Sequence, residues 1–266
     1  MSNAKGTALI TGASSGIGAV YADRLAKRGF DLVLVARDGA RMEALAARLL
    51  GETHVTIEII PADLTVDADV ARVEQRLAAG DVSLLINNAG MSLNGSLLEN
   101  GPAELGRIIA LNVTAPTRLA AAAAKAFVAK REGAIVNIAS VLALAPEMFD
   151  GIYSGTKAFL LNLSQAMAAQ LADKGIYTQA VLPGATRTEI WERSGKDVDA
   201  FPADIVMDVD DLVDAALVGF DRRETITIPP LADVGEWDAF QEARRVMAPK
   251  LSKRAVAARY REPAVA

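Results

Sequence analysis

Short apolar runs alternate along the chain with longer stretches in which apolar residues recur at helical spacing. The runs ALIT (8–11), DLVLVAR (31–37), HVTIEIIPADL (54–64), VSLLINNAG (82–90), GAIVNIAS (133–140), IYTQAVLPG (176–184) and TITIPP (225–230) are rich in Val, Ile and Leu and alternate little with polar residues. Strands that are apolar on both faces suit a parallel sheet covered on both sides. The stretches between them, 19–29, 39–51, 67–80, roughly 103–131 and 152–173, read as helices. This order predicts an α/β fold: a doubly wound, Rossmann-type parallel sheet of about seven strands, right-handed crossovers and helices on both faces. No Pro/Gly/Ser-rich linker and no internal repeat interrupts it, so residues 1–266 are expected to form one domain. Residues 189–222 leave the regular alternation. Within them, about 189–207 is expected to be a lid over a bound substrate. The tail, about 231–266, reads as a C-terminal extension, a solvated helix and loose terminus that is more basic than the rest.

Composition removes several functions. The 266 residues carry a net charge of −5, which offers no basic balance for nucleic acid. There is no cysteine, so disulfides and thiolate chemistry are excluded. The single histidine, His54, rules out a multi-histidine metal site, and no metal is expected. No apolar run approaches a membrane span, and the opening MSNAKG is too short and polar for a secretory signal, so a cytoplasmic protein is the expectation.

The first strand runs into TGASSGIG (11–18), with glycines at 12, 16 and 18 ahead of a helix. Glycine permits a sharp turn and close approach of a pyrophosphate, and a helix N-terminus favours an anion. Thr11, Ser14 and Ser15 add hydroxyl donors. At the first β-α crossing this spacing points to a nucleotide. The second strand ends Ala36-Arg37 rather than on the acidic residue that usually holds an unphosphorylated ribose. Arg37 offers a planar cation for a 2′-phosphate, which favours NADP(H) over NAD. Asp38 is read as the N-cap of the next helix. Asp63 would meet an adenine amino group or cap a turn, and Asn87 to Gly90 end the fourth strand on the same side of the sheet.

Residues 153–157 read YSGTK, thirteen residues after a serine in NIAS (137–140). Tyr153 and Lys157 stand one helical turn apart. A lysine cation beside a tyrosine makes the phenolate easier to form, which turns a packing residue into an acid–base group.

Taken in order, TGASSGIG, NNAG (87–90), LNV (111–113), NIAS, YSGTK and LPGATRT (182–188) resemble the short-chain dehydrogenase/reductase family over about residues 5–230, in its single-domain branch, near the 3-oxoacyl-[acyl-carrier-protein] reductase-like enzymes. The resemblance implies an NADP(H)-dependent oxidoreductase. In it Tyr153 is the general acid–base and Lys157 lowers its pKa and holds the nicotinamide ribose. Ser140 positions the substrate oxygen, and Asn112 holds a water leading from Lys157 to solvent. It also implies that Gly12, Ser14, Ser15, Ile17 and Gly18 line the pyrophosphate and that Arg37 meets the 2′-phosphate. Asp63 lies by the adenine, Asn87 and Gly90 by the adenosine ribose, and Pro183, Gly184 and Thr188 by the nicotinamide. Assembly into a homodimer or homotetramer through the helices at 114–130 and YSGTK is the family's habit.

Val141, Leu142, Met148, Phe149, Ile190 and Trp191 are expected to wall the reactive end, so the expected substrate is a small molecule that is a ketone, aldehyde or 3-oxoacyl thioester with an apolar arm. Two other classes fit the residues less well. A non-catalytic NADP sensor has no need of the Asn112, Ser140, Tyr153, Lys157 set. A serine hydrolase needs a G-x-S-x-G elbow that NIAS does not supply, and would have to use His54. Within the enzyme class, an NAD-dependent alcohol dehydrogenase would follow if Asp38 held the ribose.

Overall fold

Seven parallel strands form one sheet in the order β3-β2-β1-β4-β5-β6-β7, with β1 Thr7–Thr11, β2 Asp31–Ala36, β3 Ile57–Pro61, β4 Val82–Asn87, β5 Gly133–Ile138, β6 Ile176–Val181 and β7 Ile226–Thr227. This is a computed structural model, and it describes residues 5–95, 97–149 and 151–261. The helices are α1 Gly16–Lys27, α2 Gly39–Glu52, α3 Asp67–Ala78, α4 Pro102–Ile109, α5 Ala115–Lys130, α6 Gly151–Leu171, the single turn α7 Ile190–Arg193, α8 Val209–Asp221 and α9 Val234–Met247. The predicted doubly wound sheet is present, with its topological switch between β1 and β4.

The pleat sends successive apolar residues to opposite faces. Ala8 and Ile10 of β1 and Leu32 and Leu34 of β2 join one core with Tyr21 and Leu25 of α1 and Val213 and Leu217 of α8. Leu9, Val33 and Val35 join the other, with Val73 of α3, Leu119 and Phe127 of α5 and Met167 of α6. Both faces are therefore dry, which is why the strands read as continuous apolar runs.

The departures from expectation have local causes. The third strand begins only at Ile57, because residues 54–56 are still in the turn that follows α2. The last strand is two residues long, and Pro229 and Pro230 lie just beyond it. The single helix predicted over 103–131 is broken by a π-helical turn, Ala110–Thr114. Pro116 has no N–H to return to the carbonyl four residues back, and the N–H of Ala115 reaches instead to Ala110, five back. Helix α8, absent from the sequence reading, covers the sheet beside α1.

The chain divides into two compact units at Pro229/Pro230. The first carries the sheet. In the second, α9 has no buried residue, and its two large rings, Trp237 and Phe240, lie 5.7 Å apart between centroids. Among the described residues no helix is long and apolar enough to cross a membrane, and no cluster of His, Cys, Asp or Glu could hold a metal.

Candidate active site

At the switch between β1 and β4 the strand ends are fastened by Thr11, which is 1% exposed. Its hydroxyl donates to the carbonyl of Ile86 (3.3 Å) and accepts from the N–H groups of Asn88 (2.9 Å) and Ala89 (3.0 Å). Thr11 is thus a staple within the sheet, not a donor for a nucleotide, which corrects the sequence reading. Asn88, placed by the sequence on the ligand side of the sheet, bonds to backbone, donating from Nδ2 to the carbonyls of Thr11 (2.9 Å) and Gly12 (3.3 Å). The glycine loop is drawn tight against this staple. Gly12 has φ +68°, and a Cβ on Gly18 would stand 2.3 Å from the carbonyl oxygen of Gly12. A cradle that a methyl group would fill fits a closely approaching pyrophosphate. Ser15 precedes the first residue of α1 without capping it through its side chain, and its hydroxyl accepts from Arg193 (3.2 Å). Ser14 is half-buried on the same loop, and Ile17 packs onto the core under α1.

At the end of β2, Ala36 is buried and Arg37 exposed, with no hydrogen bond among the described residues. Asp38 caps α2, accepting from the N–H of Arg41 (3.0 Å), as its position suggested. Asp63 takes the turn role: Oδ1 accepts from the N–H (2.9 Å) and hydroxyl (2.7 Å) of Thr65. Partial burial would raise its pKa, but these bonds, with Arg37 and Arg107 nearby, hold it below the usual carboxylate range. Asn87 departs from expectation. Its side chain is buried, with Nδ2 donating to Pro116 (3.1 Å) and Asn137 (3.0 Å) and Oδ1 without a partner among the described residues, so its amide nitrogen is committed to the interior.

The second half of the site gathers at the ends of β4, β5 and β6. Lys157, 5% exposed, donates from Nζ to the carbonyl of Ile138 (2.8 Å). Burial pulls its pKa down to about 8. A Cβ on Gly90 would lie 3.6 Å from that Nζ and 3.4 Å from Asn112 Oδ1, which places Gly90 beside both. Asn112 is 2% exposed and hydrogen-bonded through both ends of its amide. Its Oδ1 accepts from the N–H of Met91 (2.9 Å), and its Nδ2 donates to the Met91 carbonyl (2.8 Å) and to Thr156 Oγ1 (3.1 Å). Thr156 donates in turn to the backbone carbonyl of Tyr153 (2.7 Å). Ser140 accepts from the N–H of Leu142 (3.2 Å), donates to the carbonyl of Pro183 (3.4 Å), and its side chain is hydrogen-bonded to that of Tyr153. Pro183 is bound again by the N–H of Val141 (2.9 Å), Gly184 by the Thr186 hydroxyl (3.0 Å), and Thr188 sits against Gly16.

The balance on Tyr153 differs from the sequence expectation. Burial pushes its hydroxyl up to about 12, and only the Ser140 bond works the other way. The Lys157 ammonium stands 5.6 Å from the centroid of the tyrosine ring, but it does not reverse that balance. The ring is a neutral phenol, ready to give a proton.

Of the expected wall, Phe149 and Trp191 meet at Tyr153. Phe149 is edge-on to Tyr153 (6.1 Å between centroids) and to Trp191 (6.0 Å), and Trp191 is 5.0 Å from Phe201. The ammonium of Lys196, which sequence reasoning missed, lies 3.8 Å from the centroid of Phe149. Met148 is largely exposed. A cavity of about 680 Å³ lies among Arg187, Glu192 and Asp197, and includes neither Ser140 nor Tyr153. The hydrogen-bonded groups mark the chemistry better than that depth does. His54 lies before β3, at the N-terminal edge of the sheet, opposite the end where Ser140 follows β5. A Ser-His pair is therefore impossible.

Comparison with known proteins agrees. Residues 6–199 match the short chain dehydrogenase family, and the chain belongs to it. A short-chain dehydrogenase from Sphingobium yanoikuyae in complex with NADPH is 56% identical and covers 96% of this chain and 100% of its own, with a TM-score of 0.94. The bulky-bulky ketone specific alcohol dehydrogenase from Comamonas testosteroni, in its orthorhombic crystal, is 50% identical, covering 97% and 99%, with a TM-score of 0.90. The human 17-beta-hydroxysteroid dehydrogenase type 3 is 34% identical over 183 residues, 68% of this chain and 59% of that protein. The chain thus spans little more than half the length of such curated relatives.

Proposed function

We propose that the protein is an NADP(H)-dependent oxidoreductase acting on a carbonyl or alcohol with an apolar arm, in which Asn112, Ser140, Tyr153 and Lys157 are the working residues. The observation that carries this is the junction of Tyr153 with Ser140, beside a buried Lys157 and a glycine-lined strand end. When bound, the cofactor supplies or accepts the hydride. In reduction Tyr153 gives its hydroxyl proton to the carbonyl oxygen, and its raised pKa keeps that proton available through the neutral range. Ser140 holds the same oxygen. Lys157, protonated below about pH 8, is the charge that favours resupply of the proton. The Nδ2 of Asn112 is spent on Met91 and Thr156 and its Oδ1 accepts one bond from Met91, so a water leading from Lys157 would be held by the second lone pair of Oδ1 or by the backbone carbonyl. Asn112 otherwise works by clamping the loop after β4.

NADP(H) is favoured by the unbonded Arg37 and by Asp38, whose capping role keeps it from the ribose. Among the relatives, the Sphingobium enzyme binds NADPH. The aromatic wall of Phe149 and Trp191 suits a ketone with a bulky or aryl substituent, in keeping with the class on which the Comamonas enzyme acts. Assembly into a dimer or tetramer would use α5 and α6, and Phe159 on α6 is exposed. The test is Tyr153→Phe. NADPH should bind as before while ketone reduction falls by roughly 10²–10⁴, the usual reach of a positioned acid. Turnover within threefold of the parent would remove Tyr153 from the chemistry.

A further inference from the structure

Three segments far apart in sequence meet over the glycine loop. Arg41, in the first turn of α2, donates from Nη1 to both carboxylate oxygens of Glu189 (2.8 and 2.7 Å). Arg193 donates from Nη2 to Glu189 Oε2 (2.6 Å) and to the Ser15 hydroxyl (3.2 Å). Thr188, next to Glu189, packs on Gly16. The other side of Arg41 faces Asp38 at 3.4 Å, one residue beyond Arg37 at the end of β2. One carboxylate therefore holds two arginines, one at the loop that would take the pyrophosphate and one at the end that would take the 2′-phosphate.

All three charged side chains are two-fifths to one-half exposed. Ion pairs of that kind contribute little and exchange readily. A phosphate monoester carries more charge than a carboxylate and offers three acceptor oxygens to a planar guanidinium. Exchanging Glu189 for the 2′-phosphate is thus favourable for Arg41, while the pyrophosphate, with one charge on each phosphate, offers Arg193 a match for the carboxylate it gives up; the exchange frees Glu189, the residue that leads into α7 and the rest of the lid.

We propose that Arg41 is a second 2′-phosphate-binding residue beside Arg37, that Arg193 binds the pyrophosphate, and that Glu189 holds both arginines in the nucleotide-free protein, coupling cofactor arrival to the lid. This rests on the NADP(H) reading above.

Calorimetric titration of the full chain with NADPH, NADH and 2′,5′-ADP tests it. Arg41→Ala should weaken NADPH and 2′,5′-ADP by about tenfold or more and leave NADH within about twofold, the loss of one charge-assisted pair. Arg41→Lys should recover part of the loss. Arg193→Ala should weaken NADPH and NADH alike. Glu189→Gln, which removes the competing charge, should tighten NADPH by roughly two- to fivefold. An unchanged NADPH-to-NADH ratio in Arg41→Ala, or weaker NADPH binding in Glu189→Gln, would overturn the proposal while the cofactor reading stood. If the parent protein bound neither dinucleotide, both would fall.

Discussion

Replacing Thr11 by valine changes one atom group and almost no volume, yet three hydrogen bonds run through that hydroxyl. Valine fills the same space and keeps the β-branch, so neither a cavity nor strand propensity enters the result. The lost donor to Ile86 is long, at 3.3 Å, and its acceptor has a second lone pair. The larger loss is on the other side. The N–H groups of Asn88 and Ala89 are left facing a methyl group at the centre of the sheet. Stranding a buried donor costs about 1–3 kcal/mol. Both residues are half-buried, so the lower part of that range applies to each, and the sum is about 2–4 kcal/mol. Urea unfolding followed by tryptophan fluorescence reads this as a drop in midpoint at constant slope. Thr11→Ser keeps all three bonds and loses one methyl group, so it should cost only about 1 kcal/mol. Should the valine variant match the serine variant in stability, the staple contributes nothing and the sheet alone sets the loop.

Two further results follow from the same geometry. Because burial holds Lys157 near 8, the rate of reduction should be level below that pH and decline as pH rises through it, the direction in which the ammonium is lost; a decline that begins only above pH 10 would show the lysine to be unperturbed. Gly18→Ala would set a methyl group 2.3 Å from the Gly12 carbonyl and 2.6 Å from Asn88 Nδ2; displacing the loop should cost about 1–3 kcal/mol in thermal stability and at least about tenfold in NADPH affinity by calorimetry.

The sheet and most of its helices were legible because apolar runs with little alternation fit only a doubly covered parallel sheet. The Asp38 cap was legible because its cause lies within three residues. What escaped notice depended on distant partners. Thr11 and Asn88 look like ligand donors until the switch point sets them against each other, 77 residues apart. Asn87 reads as a ribose contact, and only the fold shows that its amide nitrogen is turned to Asn137 on β5, 50 residues on. Glu189 gains its significance only from Arg41, 148 residues earlier. Helix α8 was hidden because it follows the irregular segment 189–207, where the β-α rhythm gives no register. The lysine effect on Tyr153 was inferred from charge alone, and burial, which a sequence does not display, outweighs it.

The π-helical turn at Ala110–Thr114 also limits how the chain can tolerate changes of length. It holds one residue more than the regular spiral needs, and that residue lets Asn112 face Met91 and Thr156 while Ile108 before it and Leu119 and Phe127 after it stay in the core. Deleting one residue there would restore an unbroken α-helix but turn everything beyond it by about 100°. Leu119 and Phe127 would then leave the sheet, or Asn112 would leave the loop. Insertions and deletions should therefore be rejected between residues 108 and 119, where helical phase joins the loop after β4 to the interior.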